Sequence, residues 1–391
     1  MSDSPISRSP DLARLQADGY EVEIVAGHLV LRNIPYVNQH KQVRRGVLVS
    51  ELTLAGNVAV RPHTHVIMFA GELPCDKNGR ALDKIINEKR RKAITDALTI
   101  DYTFSSKPPE GYANYYEKMT AYVAILSSHA QAIDSNATAQ TWRVIANDDP
   151  DSPFHYIDTA SSRAGITAAM RKLMLSSIAI VGLGGTGSYV LDLVSKTPVR
   201  KIHLFDRDKY GQHNAFRSPG APSLEDLKAI PYKVHHWHGI YSRMHRGIVP
   251  HAFHIDPTNV DLLRDMEFVF VCGDAGPTKM AIVEKLEERG TAFIDTGMGL
   301  ELVDDRLHGI LTVTTSTTKK RDHVRRRVNF SGNDQENLYD GNIQVADLNA
   351  MNAVMAVMKW KKLCRFYGDY SHEHFSAYTI DGNSIVSEDR P

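Results

Sequence analysis

The chain has 391 residues, of which 42% are apolar, and it carries 46 basic and 46 acidic side chains. This length predicts two domains, and the balanced charge argues against a nucleic-acid partner. Three cysteines without a CxxC pair argue against a disulfide framework and a structural zinc site, and no apolar stretch suits a signal peptide or a membrane span. We therefore expect a cytoplasmic protein with no membrane partner.

The first 150 residues predict a small α+β domain built mainly from antiparallel strands. Strands are expected at 20–25, 28–32, 47–54 and 66–70, and helices at 81–98 and 114–134. The basic run from Lys89 to Lys92 lies in the first predicted helix, where a solvated face is the simplest interpretation.

Two features of this first domain could carry chemistry. His63 and His65 alternate along the chain and could share one face of a strand, but no carboxylate or cysteine stands at ligand spacing, so ordinary polar roles are favoured over a metal site. Cys75 could be a reactive thiolate, although a lone cysteine in a turn is more often inert.

A polar stretch over 134–160 places the domain boundary near residue 150, which gives domains 1–150 and 151–391. A helix over 166–175 is expected to lead into the apolar strand Ile178–Val181. Strands then alternate with helices, and this order predicts a Rossmann-like, doubly wound, mostly parallel sheet. Three acids, Asp206, Asp274 and Asp295, are expected at the carboxyl ends of its strands, where ligands bind.

A glycine-rich loop follows the first strand of this second domain. Its candidate phosphate-binding residues are Gly182, Gly184, Gly185, Thr186 and Gly187. Glycine allows the backbone to approach an anion, and the N–H groups at a helix start complement its charge. Asp206 ends the next strand about 20 residues later, at the place where an acid holds a ribose hydroxyl. The loop alone does not separate an ATP site from the nicotinamide site of an oxidoreductase.

Polar residues farther along the chain favour ATP. Asn214, Arg217 and Lys233 suit attack on an α-phosphate, where charge builds on the transferring group and the leaving pyrophosphate. Asp274 would hold Mg²⁺. Each residue also has an ordinary interpretation, as a surface charge or a helix cap, and the functional interpretation depends on their joint occurrence.

This combination resembles the ThiF-type adenylyltransferases, which include the ubiquitin-activating enzymes and the sulfur-carrier activators of thiamine and molybdopterin synthesis. The resemblance covers residues 160–315 and a long helix near 343–364. The matching motifs are GxGGxG at Gly182–Gly187, DxD at Asp206 and Asp208, NxxR at Asn214 and Arg217, then Lys233 and Asp274.

The resemblance implies roles for these residues. The glycine loop and Asp206 would hold ATP, the residues at 214, 217 and 233 would grip its phosphates, and Asp274 would bind Mg²⁺. Arg163 resembles an arginine contributed across a homodimer interface. The implied reaction adenylates the C-terminal glycine of a ubiquitin-like protein, with a conjugating enzyme as a further partner.

The chain departs from the family pattern in two respects. It lacks the zinc-binding CxxC motifs of many relatives, and the loop predicted from Thr314 to Lys320 has no cysteine. The reaction could stop at the adenylate, pass to a hydroxyl within 312–318, of which Ser316 is the first candidate, or use Cys75.

Two alternatives of other classes stay open at this point. The second domain could be a nucleotide-binding sensor or interaction module without chemistry, or a nicotinamide-dependent oxidoreductase. The first domain could dock a partner protein or have a decayed conjugating-enzyme-like fold.

Overall fold

The computed structural model describes residues 5–147, 149–274, 276–331 and 343–391. The chain divides into two compact units. The first extends up to Asp149 and adds Tyr156–Thr167, and the second combines Pro150–His155 with Ala168–Pro391.

The first unit is an antiparallel sheet with one long helix against it. Its strands are β1 (Glu21–Val25), β2 (His28–Val37), β3 (Val43–Glu51), β4 (Leu54–Ala55), β5 (Val58–Ala59), β6 (Ile67–Ala70), β7 (Ile86–Thr95) and β8 (Leu98–Phe104). Its helices are α1 (Pro5–Arg8), α2 (Pro10–Ala17), α3 (Tyr115–Gln131) and α4 (Thr159–Arg163). The main sheet has the order β1-β2-β3-β6-β8-β7, and β4 pairs with β5.

Helix α3 forms the expected helix near 114–134. The Asn114 side chain accepts the N–H of Glu117 at 2.9 Å and so caps its first turn. Met119, Tyr122 and Leu126 recur at helical spacing and are buried in the core with the sheet. The amphipathic pattern of this segment was therefore sufficient to predict it.

The predicted helix over 81–98 is wrong, because β7 occupies most of this segment. Strand β7 pairs with β8 at the edge of the sheet, with several irregularities in register. Lys89 to Lys92 are exposed there. An edge strand with both faces in solvent shows no alternation of apolar residues, and lysines are common on such edges.

The second unit is a mixed sheet with helices on both faces. Its strands are β9 (Ile178–Val181), β10 (Ile202–Phe205), β11 (Ile248–His251), β12 (Phe268–Val271), β13 (Ala292–Val303), β14 (Arg306–Ser316), β15 (Phe375–Thr379) and β16 (Ser384–Glu388). Its helices are α5 (Thr167–Met170), α6 (Gly185–Val194), α7 (Gln212–Ala215), α8 (Leu224–Ala229), α9 (Lys233–Tyr241), α10 (Pro277–Arg289), α11 (Val324–Arg327) and α12 (Ala346–Leu363), with 3₁₀ turns at Arg171–Leu173 and Val260–Leu263.

The strand order is β11-β10-β9-β12-β13-β14-β15-β16. The five neighbouring strands β11, β10, β9, β12 and β13 pair in parallel. Strands β13, β14, β15 and β16 pair antiparallel. Helices α6 and α12 share one core with the sheet, and α10 packs into a second core. The prediction of a Rossmann-like, doubly wound sheet after an α+β domain is confirmed.

Three local predictions in this unit are wrong. Asp295 lies inside the long strand β13 rather than at its end, and Thr314 to Ser316 complete β14 instead of forming a loop. The helix expected over 166–175 is only the short α5 followed by a 3₁₀ turn. Pairing of β13 with β14 over its whole length extends both strands beyond the limits indicated by their composition. None of the helices in the described part of the chain is long and apolar enough to span a membrane.

Candidate active site

A glycine turn joins the end of β9 to the start of α6. Gly182 has a φ of +91°, which L side chains rarely adopt, and a Cβ there would lie 2.8 Å from the backbone of Cys272. A Cβ at Gly187 would lie 1.9 Å from the carbonyl oxygen of Gly182. The turn therefore requires glycine at both positions, and α6 begins at the carboxyl edge of the parallel strands.

The same turn has an open side at Gly184. This residue caps α6 in an extended conformation, and a Cβ there would meet no atom within 4 Å. The first N–H groups of a helix have no partner within it and attract anions. The turn thus offers both space and hydrogen-bond donors to a phosphate group.

Asp206 supports the glycine turn from the end of β10. Its carboxylate accepts the N–H of Leu183 at 2.7 Å and the N–H of Asp208 at 2.8 Å, and the residue is only 8% exposed. A carboxylate has about four acceptor positions, so these bonds leave capacity for a sugar hydroxyl. The acid predicted to bind ribose therefore also holds the loop in place.

Lys233 joins this acidic pair from the start of α9. Its Nζ donates to the Asp208 carboxylate at 2.7 Å and lies 3.6 Å from that of Asp206. The lysine is 7% exposed. The structure thus brings together three predicted site residues that lie up to 27 positions apart in the chain, since 233 minus 206 is 27.

Asn214 and Arg217 lie on the short helix α7 and the turn after it. The side-chain oxygen of Asn214 accepts the N–H of Gly211 at 2.8 Å. The backbone carbonyl oxygen of Asn214 accepts the hydroxyl of Ser218 at 2.6 Å. Asn214 therefore has a structural role in this turn. The Nε of Arg217 is buried and has no hydrogen-bond partner among the described residues. A buried donor without a partner is costly, and an anion would satisfy it.

Asp274 lies three residues beyond the end of β12 and is exposed. Val271 and Val181 are paired in register, so β12 and β9 end at the same edge of the sheet. Asp274 and the glycine turn therefore follow neighbouring strand ends. An exposed carboxylate at this edge is of the type that Mg²⁺ prefers.

Two further residues at this edge were not indicated by the sequence motifs. Lys279 on α10 forms a buried ion pair with Asp295 at 2.7 Å. Asn349 on α12 contacts both the glycine turn and the Arg217 segment. A signal for the second was present, because Asn349 and Asn352 are polar residues at a spacing of three on the buried side of α12.

The structure buries Ser316, the acceptor predicted from the sequence. Its side chain is 0% exposed in β14, and Thr314 and Thr315 beside it are also buried. Cys75 is 1% exposed, its Sγ donates to the carbonyl of Leu73 at 3.4 Å, and burial raises the pKa of its thiol. Neither side chain is placed to receive an acyl group.

The structure keeps Arg163 within the first unit. Its guanidinium lies 4.9 Å from the centre of the Trp142 ring, a cation–π contact at the end of α4. Its role across a homodimer interface stays a prediction. His65, a metal candidate in the sequence, is hydrogen-bonded to the Ser105 hydroxyl at 3.0 Å.

The family of the second unit follows from a sequence profile. The profile described as "ThiF family" matches residues 159–386, which is more than half of the chain. The chain belongs to the ThiF family. A second profile, a domain of unknown function (DUF6791), matches residues 10–159.

Individual relatives of the chain are similar at low identity. "Ubiquitin-like modifier-activating enzyme 5" of Caenorhabditis elegans is 23% identical over 305 residues, covering 74% of this chain and 66% of that protein. The mouse protein of the same name is 24% identical over 159 residues, covering 38% of this chain and 40% of its own length. The chain thus spans less than two thirds of these relatives.

Two solved structures are similar to this chain at TM-scores below 0.5. A crystal structure of Escherichia coli MccB with MccA-N7isoASN has a TM-score of 0.47 at 17% identity, covering 60% of this chain and 70% of MccB. A crystal structure of PaaA has a TM-score of 0.43 at 13% identity, covering 57% of this chain and 75% of PaaA.

Proposed function

We propose that the chain uses ATP and Mg²⁺ to adenylate the C-terminal glycine carboxylate of a ubiquitin-like protein. Membership of the ThiF family supports an adenylation reaction, and the names of the relatives support a ubiquitin-like substrate. The observation that carries the proposal is the buried, unpartnered Nε of Arg217, a residue whose backbone carbonyl is joined through Asn349 to Thr186 of the glycine turn. Such a donor fits a phosphate oxygen.

The reaction is a displacement at the α-phosphate. A carboxylate oxygen of the partner forms a bond to the α-phosphorus, and the bond to the bridging oxygen breaks, so that pyrophosphate leaves with the electron pair. The N–H groups of the glycine turn, Arg217 and Lys233 stabilise the negative charge that develops on these oxygens. Asp274 would hold Mg²⁺, which neutralises charge on the leaving pyrophosphate.

The fate of the acyl adenylate completes the proposal. AMP is a good leaving group, so a nucleophile of a conjugating enzyme can attack the mixed anhydride directly. Within 312–318, Thr318 is exposed and is the acceptor candidate, because Ser316 is buried. A second copy of the chain would supply Arg163, and the first unit would dock the partner proteins.

The test is exchange of labelled pyrophosphate into ATP in the presence of a ubiquitin-like protein that ends in glycine. We expect exchange to depend on that protein and to fall by about 100-fold in Asp274→Asn, because one charged group at a phosphoryl site commonly contributes this much. Asp305→Asn, an exposed acid on the turn between β13 and β14, is the matched control and should be unchanged. Equal exchange in both variants would overturn the proposed role of Asp274.

A sensor or interaction module remains the second candidate, because the Asp208 carboxylate already neutralises Lys233. In that case calorimetry would detect ATP binding, while no partner would support pyrophosphate exchange. A nicotinamide-dependent oxidoreductase would instead bind a nicotinamide dinucleotide without any requirement for Mg²⁺.

A further inference from the structure

We infer that Asn349 is a positioning residue that holds the glycine turn and the Arg217 segment at a fixed separation. The inference rests on the proposed function insofar as these two elements grip one triphosphate. Asn349 lies in the first turn of α12, more than 130 residues after either element, since 349 minus 217 is 132. Its contacts with both elements are therefore long-range contacts created by the fold.

Each end of the Asn349 amide bonds a different element. Its Nδ2 donates to the carbonyl oxygen of Arg217 at 3.2 Å, and its Oδ1 accepts the hydroxyl of Thr186 at 3.0 Å. The residue is 1% exposed. A buried amide is costly unless it is hydrogen-bonded, so these two bonds fix the orientation of the side chain.

Gly185 provides the third contact and is complementary to Asn349 in shape. A Cβ at Gly185 would lie 2.1 Å from Nδ2 and 2.4 Å from Cγ of Asn349. Gly185 is the first residue of α6 and is not among the glycines with positive φ. The requirement for glycine at this position is therefore one of space, not of backbone conformation, and the space is filled by Asn349.

Helix α12 gives Asn349 a rigid base. Ala353, Ala356 and Val357 of α12 are buried in one core with Val190 and Val194 of α6. The Asn349 side chain is thus held against the start of α6 by the packing of two helices. A displacement of the turn relative to Arg217 of about 1 Å would suffice to lower phosphate affinity and rate strongly.

Asn352 is a natural control for this inference. It lies on the same helix, is also 1% exposed, and donates from Nδ2 to the carbonyl of Gly297 on β13 at 2.9 Å. It therefore matches Asn349 in burial and chemistry but bonds a different element. A merely structural role would give the two asparagines equal effects on ATP binding.

The first experiment compares Asn349→Ala with Asn352→Ala in the full chain. Calorimetry with ATP and Mg²⁺ should give an affinity about tenfold weaker in Asn349→Ala and unchanged in Asn352→Ala, while thermal unfolding midpoints fall in both. Equal loss of ATP affinity in the two variants, or no loss in Asn349→Ala, would overturn the inference.

The second experiment tests the shape complementarity through a double-mutant cycle. Gly185→Ala alone should lower the unfolding midpoint and ATP affinity, because the new methyl group collides with the Asn349 amide. In the Asn349→Ala background the same change should cost much less, because the space is free. Additive losses would overturn the inference.

These experiments distinguish failure of the proposed function from failure of the inference about Asn349. If the wild-type chain takes up no ATP, the proposed function fails, but the unfolding midpoints of the cycle still decide whether Asn349 and Gly185 act as a pair. If ATP binds and the cycle is additive, the proposed function stands and the role of Asn349 is refuted.

Discussion

At the scale of single residues, Lys279 and Asp295 form a buried ion pair at the carboxyl edge of the sheet. Both side chains are at most 6% exposed, and their charged atoms are 2.7 Å apart. Burial raises the pKa of Asp295, and the Lys279 ammonium opposes this shift. Loss of one partner would leave the other charge buried and uncompensated.

We predict that Lys279→Met lowers the free energy of unfolding by about 3 kcal/mol at neutral pH. Without the ammonium the pKa of Asp295 rises further above its unfolded value, so the folded state binds the extra proton. Stability of the variant should therefore be greatest in acid and decrease as the pH rises through the folded pKa. Urea unfolding of the variant and the wild type across acidic to neutral pH measures this.

Lys279→Met combined with Asp295→Asn is the control for this prediction. The neutral amide removes the titrating group, so the double variant should be more stable than Lys279→Met at neutral pH and should lose the extra pH dependence. A single variant as stable as the wild type at all pH values would contradict the importance of the pair.

At the scale of elements, strand β14 carries hydroxyl groups where a strand usually buries apolar side chains. Thr314, Thr315 and Ser316 are at most 1% exposed, and their hydroxyl oxygens have no hydrogen-bond partner in the described part of the chain. An unpaired buried hydroxyl costs free energy that a methyl group does not. The burial of these three residues therefore contributes less to the free energy of unfolding than the burial of apolar side chains of the same size.

We predict that Thr314→Val raises the free energy of unfolding by about 1 kcal/mol, because the replacement keeps the shape and removes an unpaired polar group. Thr197→Val is the matched control: Thr197 is equally buried, but its hydroxyl donates to the carbonyl of Val194 at 2.6 Å. This control should be destabilised. Urea unfolding separates the two signs, and a loss of stability in Thr314→Val would show that its hydroxyl is satisfied.

At the scale of the whole molecule, the candidate site is assembled from chain segments that only the sheet brings together. The glycine turn follows β9, Asp206 follows β10, and Asp274 follows β12. Strand β9 lies between β10 and β12 in the parallel part of the sheet. These three segments therefore meet at one edge of the sheet, which is where ligands bind in open α/β sheets.

We predict that ATP with Mg²⁺ slows amide hydrogen exchange together in the glycine turn, in the segment after β10 and in the turn around Arg217. Asp206→Ala should abolish this protection in all three, because Asp206 accepts the N–H groups of Leu183 and Asp208 and so holds the turn. Asp305→Asn should leave it intact. Protection confined to one segment, measured by mass spectrometry, would contradict a shared site.

The sequence determined those features whose causes are local. Residues 178–187 predict a strand, a glycine turn and a helix, because Gly182 needs positive φ and the apolar run needs burial. Helix α3 was equally predictable from its cap and periodicity. The placement of Asp206 and Asp208 beside the glycine turn could be expected because the carboxyl ends of parallel strands share one edge, whereas Lys233 reaches them from the start of α9.

The tertiary structure decided everything that depends on distant partners. Residues 86–95 became β7 because β8 offers hydrogen bonds at the sheet edge, against a composition that suits a helix. Ser316 became inaccessible because β13 pairs with β14 as far as that residue. The role of Asn349 depends on Gly185, which lies 164 positions earlier in the chain (349 minus 185). No local sequence pattern encodes such a contact. Folding brings distant residues together, so the burial of a side chain and its hydrogen-bond partners follow from packing and not from the order of residues in the chain.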